Sequence, residues 1–248
     1  MLTSVVKRLL RSMLRARGWE LLRRPPALAT RPEAVLLPTL GMLLAEMAVR
    51  RENPVVVQVG AFDGTSGDPL TSFLQLRRAR ALLLEPQPNP YSALCTAYVS
   101  HDFVTPVNAA LGPKDGVDTM YIVEGDRPGD PEWLHQIASF QRDQVLRHAR
   151  WISDLAERIR PIEVETITTK TLMCRYNVDQ VDALVVDAEG FDWEIVKLFL
   201  ESRVIPDVLF FEHKHLDDST ITQAIERLTD LRFKMDVIGT DLIASRFH

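Results

Sequence analysis

Three carboxylates, Asp187, Glu189 and Asp192, crowd the stretch Leu184-Val185-Val186-Asp187-Ala188-Glu189-Gly190-Phe191-Asp192, directly after an apolar run. Acids this close repel one another, which raises at least one pKa and suits that group to accept a proton near neutral pH. Asp187 follows the apolar run without a break and is the first candidate for a general base. Asp192 is placed to cap the next helix, and Glu189 to meet solvent. A second polar group, Glu212-His213-Lys214-His215, closes the next apolar run, Val208 to Phe211. His213 is the second candidate base. Either histidine can instead ligate a metal or stand at the surface.

Two more sites lie upstream. Val57-Gln58-Val59-Gly60-Ala61-Phe62-Asp63-Gly64 places a glycine at the end of an apolar strand, where the backbone can turn tightly and a ligand can come close. Glu85 ends the following apolar strand, a βαβ unit later, where an acid accepts hydrogen bonds from ribose hydroxyls. Both features suit NAD as well as S-adenosylmethionine. A Gly-x-Gly-x-x-Gly fingerprint is absent, however, and Asp68, not a close helix N-terminus, closes the loop. A pyrophosphate needs that helix terminus, whereas a cationic ligand tolerates an acid there.

These residues need elements that carry them to one edge. Apolar strands are expected at 55–59, 81–84, 103–111, 164–167, 181–187 and 208–211, with an added strand at 117–123. Helical periodicity falls at Thr39–Arg51, Leu70–Leu76, Tyr91–Tyr98, Trp193–Leu200 and Ile221–Leu231, the last capped near Asp218 or Ser219. Residues 233–246 are expected to form a closing hairpin across Gly239. Strands alternating with helices imply a mostly parallel sheet covered on both faces, with ligands at the carboxyl ends of the strands. Residues 124–161 interrupt the alternation as a polar, helical insertion holding Trp133, His135, Ser139 and Phe140. Such a lid offers an acceptor both flat apolar faces and hydrogen bonds.

The chain has 248 residues, 46% of them hydrophobic, which suffices for one sizeable core. A formal net charge of −5 argues against a nucleic-acid partner. Two distant cysteines, Cys95 and Cys174, offer neither a disulfide framework nor metal-ligand spacing, so a reduced, cytoplasmic setting is expected. The organisation expected is an N-terminal segment, 1–32, and one domain, 33–248. Within the first, residues 3–17 set Val5, Val6, Leu9, Leu10, Met13 and Leu14 against Lys7, Arg8, Arg11 and Arg15. This basic amphipathic helix can lie on an anionic membrane face or pack against protein. No apolar run approaches the roughly 18 residues of a membrane span.

Taken in order, Gln58–Gly64, Asp68-Pro69-Leu70, Leu84–Pro88, Asn108-Ala109-Ala110, Ala138-Ser139-Phe140, Asp187–Asp192 and Glu212–Leu216 resemble the FkbM family of S-adenosylmethionine-dependent methyltransferases, over Val55 to Phe247. The resemblance implies a class I methyltransferase (Rossmann-like) α/β fold, with a seven-stranded sheet. It implies methyl transfer to a hydroxyl of a sugar, glycolipid or other small molecule. By that analogy Gly60, Ala61 and Asp63 line the methionine end of the cofactor, Glu85 binds ribose, Asn108 and Ala109 lie near adenine or the sulfonium, and Asp187 stands at the reacting centre. Many members carry Asp or Glu where Gln58 stands, so an amide here offers only its carbonyl to the cofactor. No metal is expected, although Asp187, Glu212 and His213 form one possible ligand set. The rival readings are a nicotinamide-dependent oxidoreductase and a non-catalytic, membrane-associated scaffold.

Overall fold

The computed structural model describes residues 40–76 and 79–247. The expected amphipathic helix at 3–17 and the linker after it lie outside the described residues. The first described element, α1 (Leu40–Arg50), buries Leu40, Leu43, Leu44 and Met47, the face that the 3–4 spacing marks.

The β-α alternation then runs as expected: β1 (Val55–Val59), α2 (Thr71–Leu76), β2 (Arg80–Leu84), α3 (Pro88–Ala97) and β3 (Val104–Val107). After two strands of a second sheet, β4 (Ala110–Leu111) and β5 (Gly116–Val123), come the short helical turns α4 (Arg142–Leu146) and α5 (Leu155–Arg158) and the strand β6 (Ile159–Ile167). The order resumes with α6 (Thr169–Arg175), β7 (Ala183–Val186), α7 (Asp192–Glu201), β8 (Val208–Glu212), α8 (Asp218–Asp230), β9 (Lys234–Ile238) and β10 (Asp241–Ser245). The main sheet has seven strands in the order β3-β2-β1-β7-β8-β10-β9. Its pairs from β3 to β8 are parallel, and β10 runs antiparallel to both of its neighbours. The fold class is therefore the expected one, including the hairpin that turns at Gly239, whose φ is +67°.

Unbroken apolar strands are what a doubly covered sheet requires. In β7, Leu184 and Val186 pack into one core with Trp193, Phe199 and Ile225, while Ala183 and Val185 pack into the other with Leu44 and Leu83. Burying each large side chain contributes about 1.5–3 kcal/mol. At the amino ends of the strands, Asp182 accepts the Val55 N–H at 2.8 Å, and Arg51 reaches Asp182 at 3.2 Å and Asp207 at 2.6 Å. This tie holds β1 and β7 level, so their far ends emerge side by side.

Four local expectations change. The strand expected from Phe103 to Leu111 is two strands in two sheets. The Ala109 N–H turns back to the Val107 carbonyl at 3.0 Å, and the Asn108 side chain leaves the ladder to bond elsewhere. The strands read at 117–123 and 164–167 are β5 and the end of β6. They form a separate sheet in the order β4-β6-β5, with β5 and β6 antiparallel. The insertion is helical only in single turns, because Gly125, Pro128, Gly129 and Pro131 interrupt its start. It packs around its own apolar cluster of Val123, Leu134, Ile137, Val145, Ile152, Leu155 and Ile159. The cap of α8 is Asp217, whose side chain accepts the Thr220 N–H, one residue before the expected pair.

Candidate active site

From β1 the chain steps outward through β2 and β3; from β7 it steps the other way to β8. Loops leaving the carboxyl ends of β1 and β7 therefore part, and a crevice opens between them. Gly60 begins one loop and Asp187 the other. Gly60 has φ +82°, and a Cβ added there would lie 1.8 Å from the Asp187 carbonyl oxygen. Only glycine allows the two backbones to lie this close. The Gly60 and Ala61 N–H groups both donate to the Leu84 carbonyl, and Asp187 N–H donates to Val59. These bonds draw the ends of β2, β1 and β7 together. A cleft of about 300 Å³ opens above them, walled by Gly60, Glu85, Met120, Phe140, Asp187 and Phe191 among others.

Glu85 is 3% exposed. Its carboxylate accepts the Phe62 N–H at 2.9 Å and the Gln87 N–H at 2.8 Å. Burial pushes its carboxyl up to about 7, against those two donors. An ionised carboxylate offers about four acceptor sites, of which the backbone takes two. Asn108 donates to the carbonyls of Glu85 and Pro86. It braces the loop that carries Glu85 and is not on the cleft wall; Ala109 is fully buried behind it.

Asp63 is taken up by its own loop. It accepts the Thr65 and Ser66 N–H groups and both hydroxyls. Burial opposes ionisation, but the Ser66 and Thr65 donors outweigh it and hold the carboxyl below its ordinary range. Ala61 is buried beneath this loop. Gln58 is buried too, and its amide donates to Asp68 at 2.8 Å. This contact accounts for the amide at position 58, since a carboxylate there would face another carboxylate. Gln58, Ala61, Asp63, Asn108 and Ala109 thus shape the cleft from behind, while Gly60, Glu85 and Asp187 line it.

Asp187 opens onto the cleft but is recessed among protein on its other sides. That desolvation, with repulsion from Glu189, Asp192 and Glu212 and partial relief from Lys214, pushes its carboxyl up to about 8. The turn after it is left-handed at Glu189, φ +47°, and at Gly190, φ +98°. Asp192 holds this turn, accepting the Ala188 N–H at 3.2 Å and the Gly190 N–H at 3.0 Å. It is wholly buried, and burial pushes its carboxyl up to about 6.

Glu189 is not simply solvated. His215 Nε2 stands 3.5 Å from Glu189 and 3.3 Å from Glu212, and Lys214 Nζ meets Glu212 at 2.7 Å. Burial works against ionisation of Glu189, but His215 and Lys214 hold its carboxyl below the ordinary range. Among the described residues, Glu189, Glu212 and His215 form the one group close enough to share a cation, with ligand atoms within 4.8 Å. It is not the trio that the sequence points to. Lys214 already neutralises Glu212, so the group stands as an ion-pair cluster in its own right. His213 is buried, its N–H donates to the Thr240 carbonyl, and burial holds its ring below the ordinary pKa. It lines neither the cleft nor the hollow beside it. Ser139 and Lys114 enter from loops, and Gln144 from the single turn α4, none of which carries a periodic pattern.

The Methyltransferase FkbM domain model matches residues 58–235. Methyltransferase FkbM from Methylobacillus flagellatus KT is 12% identical with a TM-score of 0.46, over 90% of this chain and 48% of that one. This chain therefore spans about half the length of that protein. The SAH-bound Podospora anserina methyltransferase PaMTH1 is 11% identical with a TM-score of 0.43, covering 100% and 98%. Precorrin-6y C5,15-methyltransferase from Geobacter metallireducens GS-15 is 13% identical with a TM-score of 0.40, covering 87% and 90%. Among curated proteins none matches. No helix among the described residues is long and apolar enough to cross a membrane.

Proposed function

The chain belongs to the FkbM methyltransferase family, and from that premise we propose that it is an S-adenosylmethionine-dependent O-methyltransferase acting on a hydroxyl of a sugar, glycolipid or other small molecule. One observation carries this reading. Gly60, Glu85 and Asp187, each at the end of a different parallel strand, meet on the wall of one cleft. The residues suit the cofactor. The missing Cβ at Gly60 leaves backbone open for close approach, Glu85 has acceptor capacity for ribose hydroxyls, and the acids around Asp187 favour a cation. A pyrophosphate would instead meet Asp63 and Asp68 in the loop after β1, which disfavours a dinucleotide.

When bound, the sulfonium supplies an electrophilic methyl group and a good leaving group. The remaining work falls to the protein: alignment of the acceptor oxygen and removal of its proton. Asp187 is the group placed for the proton. Its carboxyl at about 8 is a stronger base than an ordinary Asp, and the positive charge of a bound sulfonium would favour its ionised form. The insertion covers this side of the sheet, with Phe140 on the wall as an apolar surface and Ser139 and Gln144 as polar ones.

Thermal denaturation tests the reading directly. S-adenosylhomocysteine at 100 times Kd should stabilise the fold by about 2.7 kcal/mol. For a domain of this size that raises Tm by about 5–10 °C. NAD should leave Tm unchanged; the reverse pattern would favour the oxidoreductase reading, and no shift with either would overturn the methyltransferase reading.

The second expectation concerns Glu85. Its carboxyl titrates near 7, well above its ordinary value. Ribose hydroxyls favour the ionised form, so S-adenosylhomocysteine should bind more tightly as pH rises through that value. Glu85→Gln turns an acceptor into a donor facing the Phe62 or Gln87 N–H. Calorimetry should then show affinity reduced about 10- to 100-fold, with that pH dependence gone. A variant that binds as the parent does, with the same pH dependence, would remove Glu85 from the cofactor site.

A further inference from the structure

Beside the main cleft lies a second hollow of about 350 Å³. Ser139, Gln144 and Glu189 line both, so the two are adjacent. The outer walls of the second are Arg147, His148 and Arg150, over a floor of Ile137. The insertion pairs most of its other arginines with acids. Arg127 pairs with Asp154, Arg158 with Asp130 and Asp154, and Arg160 with Glu124. Arg142 gives its guanidinium to the Ala156 carbonyl. Among the described residues, Arg147 and Arg150 have no carboxylate partner; Arg150 lies over the Trp151 ring at 5.2 Å. His148 is turned by its own contacts. Its Nδ1 meets the Val145 carbonyl at 3.3 Å, and its ring packs against Trp133 at 5.7 Å.

A chain of net charge −5 has thus set two arginines without carboxylate partners and a histidine around a hollow that adjoins the cleft holding Asp187. Guanidinium groups match the oxygens of phosphate and carboxylate in pairs, and such charge-assisted bonds are strong. Glu189 at the junction is the one acid on the lining of this hollow, set against two arginines, and His215 Nε2 stands 3.5 Å from it. The volume suits a small molecule.

We propose that the second hollow binds the anionic group, a phosphate or a carboxylate, of the acceptor whose hydroxyl is methylated beside Asp187. This rests on the methyltransferase reading and narrows it: the acceptor is acidic, not a neutral sugar. Its anion sits between Arg147 and Arg150, and its body crosses Ser139 and Gln144 into the main cleft.

The test is calorimetry on the full chain saturated with S-adenosylhomocysteine, titrated with inorganic phosphate, glucose 6-phosphate and glucose. The parent protein should bind the first two and not glucose. The double variant R147Q/R150Q should lose about tenfold or more of that affinity, while its S-adenosylhomocysteine affinity stays at the parent value and certifies its fold. Co-sedimentation with phosphatidylglycerol vesicles, present in the parent and lost in the variant, would assign the anion to a lipid headgroup; phosphate binding without co-sedimentation assigns it to a soluble acceptor. Equal phosphate binding by the two proteins, or none by a parent that holds S-adenosylhomocysteine, overturns the proposal. Failure of S-adenosylhomocysteine to bind a protein that still takes phosphate overturns the methyltransferase reading instead.

Discussion

Asp187→Asn is expected to lower kcat by about 10²- to 10⁴-fold while the affinity for S-adenosylhomocysteine stays nearly unchanged. The side chain keeps its size and its place on the cleft wall, but an amide does not take up a proton from the acceptor hydroxyl. The pH profile is the sharper measurement. With the carboxyl pushed up to about 8, the free enzyme holds mostly the acid at neutral pH, so kcat/KM should rise with pH and level off above that value. The positive charge of the bound sulfonium favours the carboxylate, so kcat itself should reach its plateau at lower pH. Both rises should vanish in the variant. Turnover and profile matching the parent would exclude Asp187 as the base.

The same shift has a stability consequence of definite sign. Between the ordinary 3.8 and about 8, the folded protein retains a proton that the unfolded chain has released. Asp187 therefore costs stability progressively as pH climbs through that window. Asp187→Asn removes the cost. The Tm of the variant should exceed that of the parent at pH 8, and the two should converge near pH 4. A catalytic group that weakens its own fold is what an active site leads one to expect. The exposure of Asp187 to the cleft screens the effect, so the direction is the test.

The central strands of the main sheet were readable because burial on both faces leaves few polar positions in them. Val181–Val186 and Val55–Val59 read as apolar runs for the same reason that their side chains divide between two cores. Chemistry placed at the ends of such runs was readable too: Gly60, Glu85 and Asp187 each follow the last buried residue of a strand. The strands at 117–123 and 164–167 were readable too, but not their pairing into a second sheet: in β5 the first four residues are exposed, and β6 carries Pro161 in its paired stretch, so the pattern does not show which strand meets which. Its partner strand β4 is only two residues long and hid within an apparent continuation of β3. What splits them is Asn108, a residue whose side chain serves the Glu85 loop and whose type fits a strand, a turn or a ligand contact equally.

Convergence across distance was the other missing piece. Glu189 read as a solvated acid because its partner, His215, arrives from the loop after β8. The approach is close enough that a Cβ on Gly190 would lie 3.3 Å from His215 Cβ. Nothing local encodes it; it follows from β7 and β8 being neighbours. The insertion poses the same problem in stronger form. Its helical pieces are too short to show a 3.6-residue period, so nothing in the sequence marks out Arg147 and Arg150. Only after their neighbours are paired off do these two stand out as cations without acids.

The largest expected effect of a single methyl group is at Gly60. Gly60→Ala adds a Cβ that falls 1.8 Å from the Asp187 carbonyl oxygen, and that oxygen belongs to backbone with no rotamer to change. The φ of +82° adds its own penalty of about 1–2 kcal/mol for any side chain. Relief requires β1 and β7 to move apart, which breaks the register that Asp187 N–H and Val59 share and opens the cleft at its base. Together these should cost about 3–5 kcal/mol and lower Tm by about 6–20 °C. S-adenosylhomocysteine should neither bind nor restore the lost stability. Gly67→Ala is the proper comparison: its φ is +72°, in the loop after the same strand, but a Cβ there meets nothing within 4 Å. It should show the φ penalty alone and keep its affinity. If the two variants behave alike, backbone strain and not close approach is what glycine relieves at position 60, and the cleft does not depend on β1 and β7 touching there.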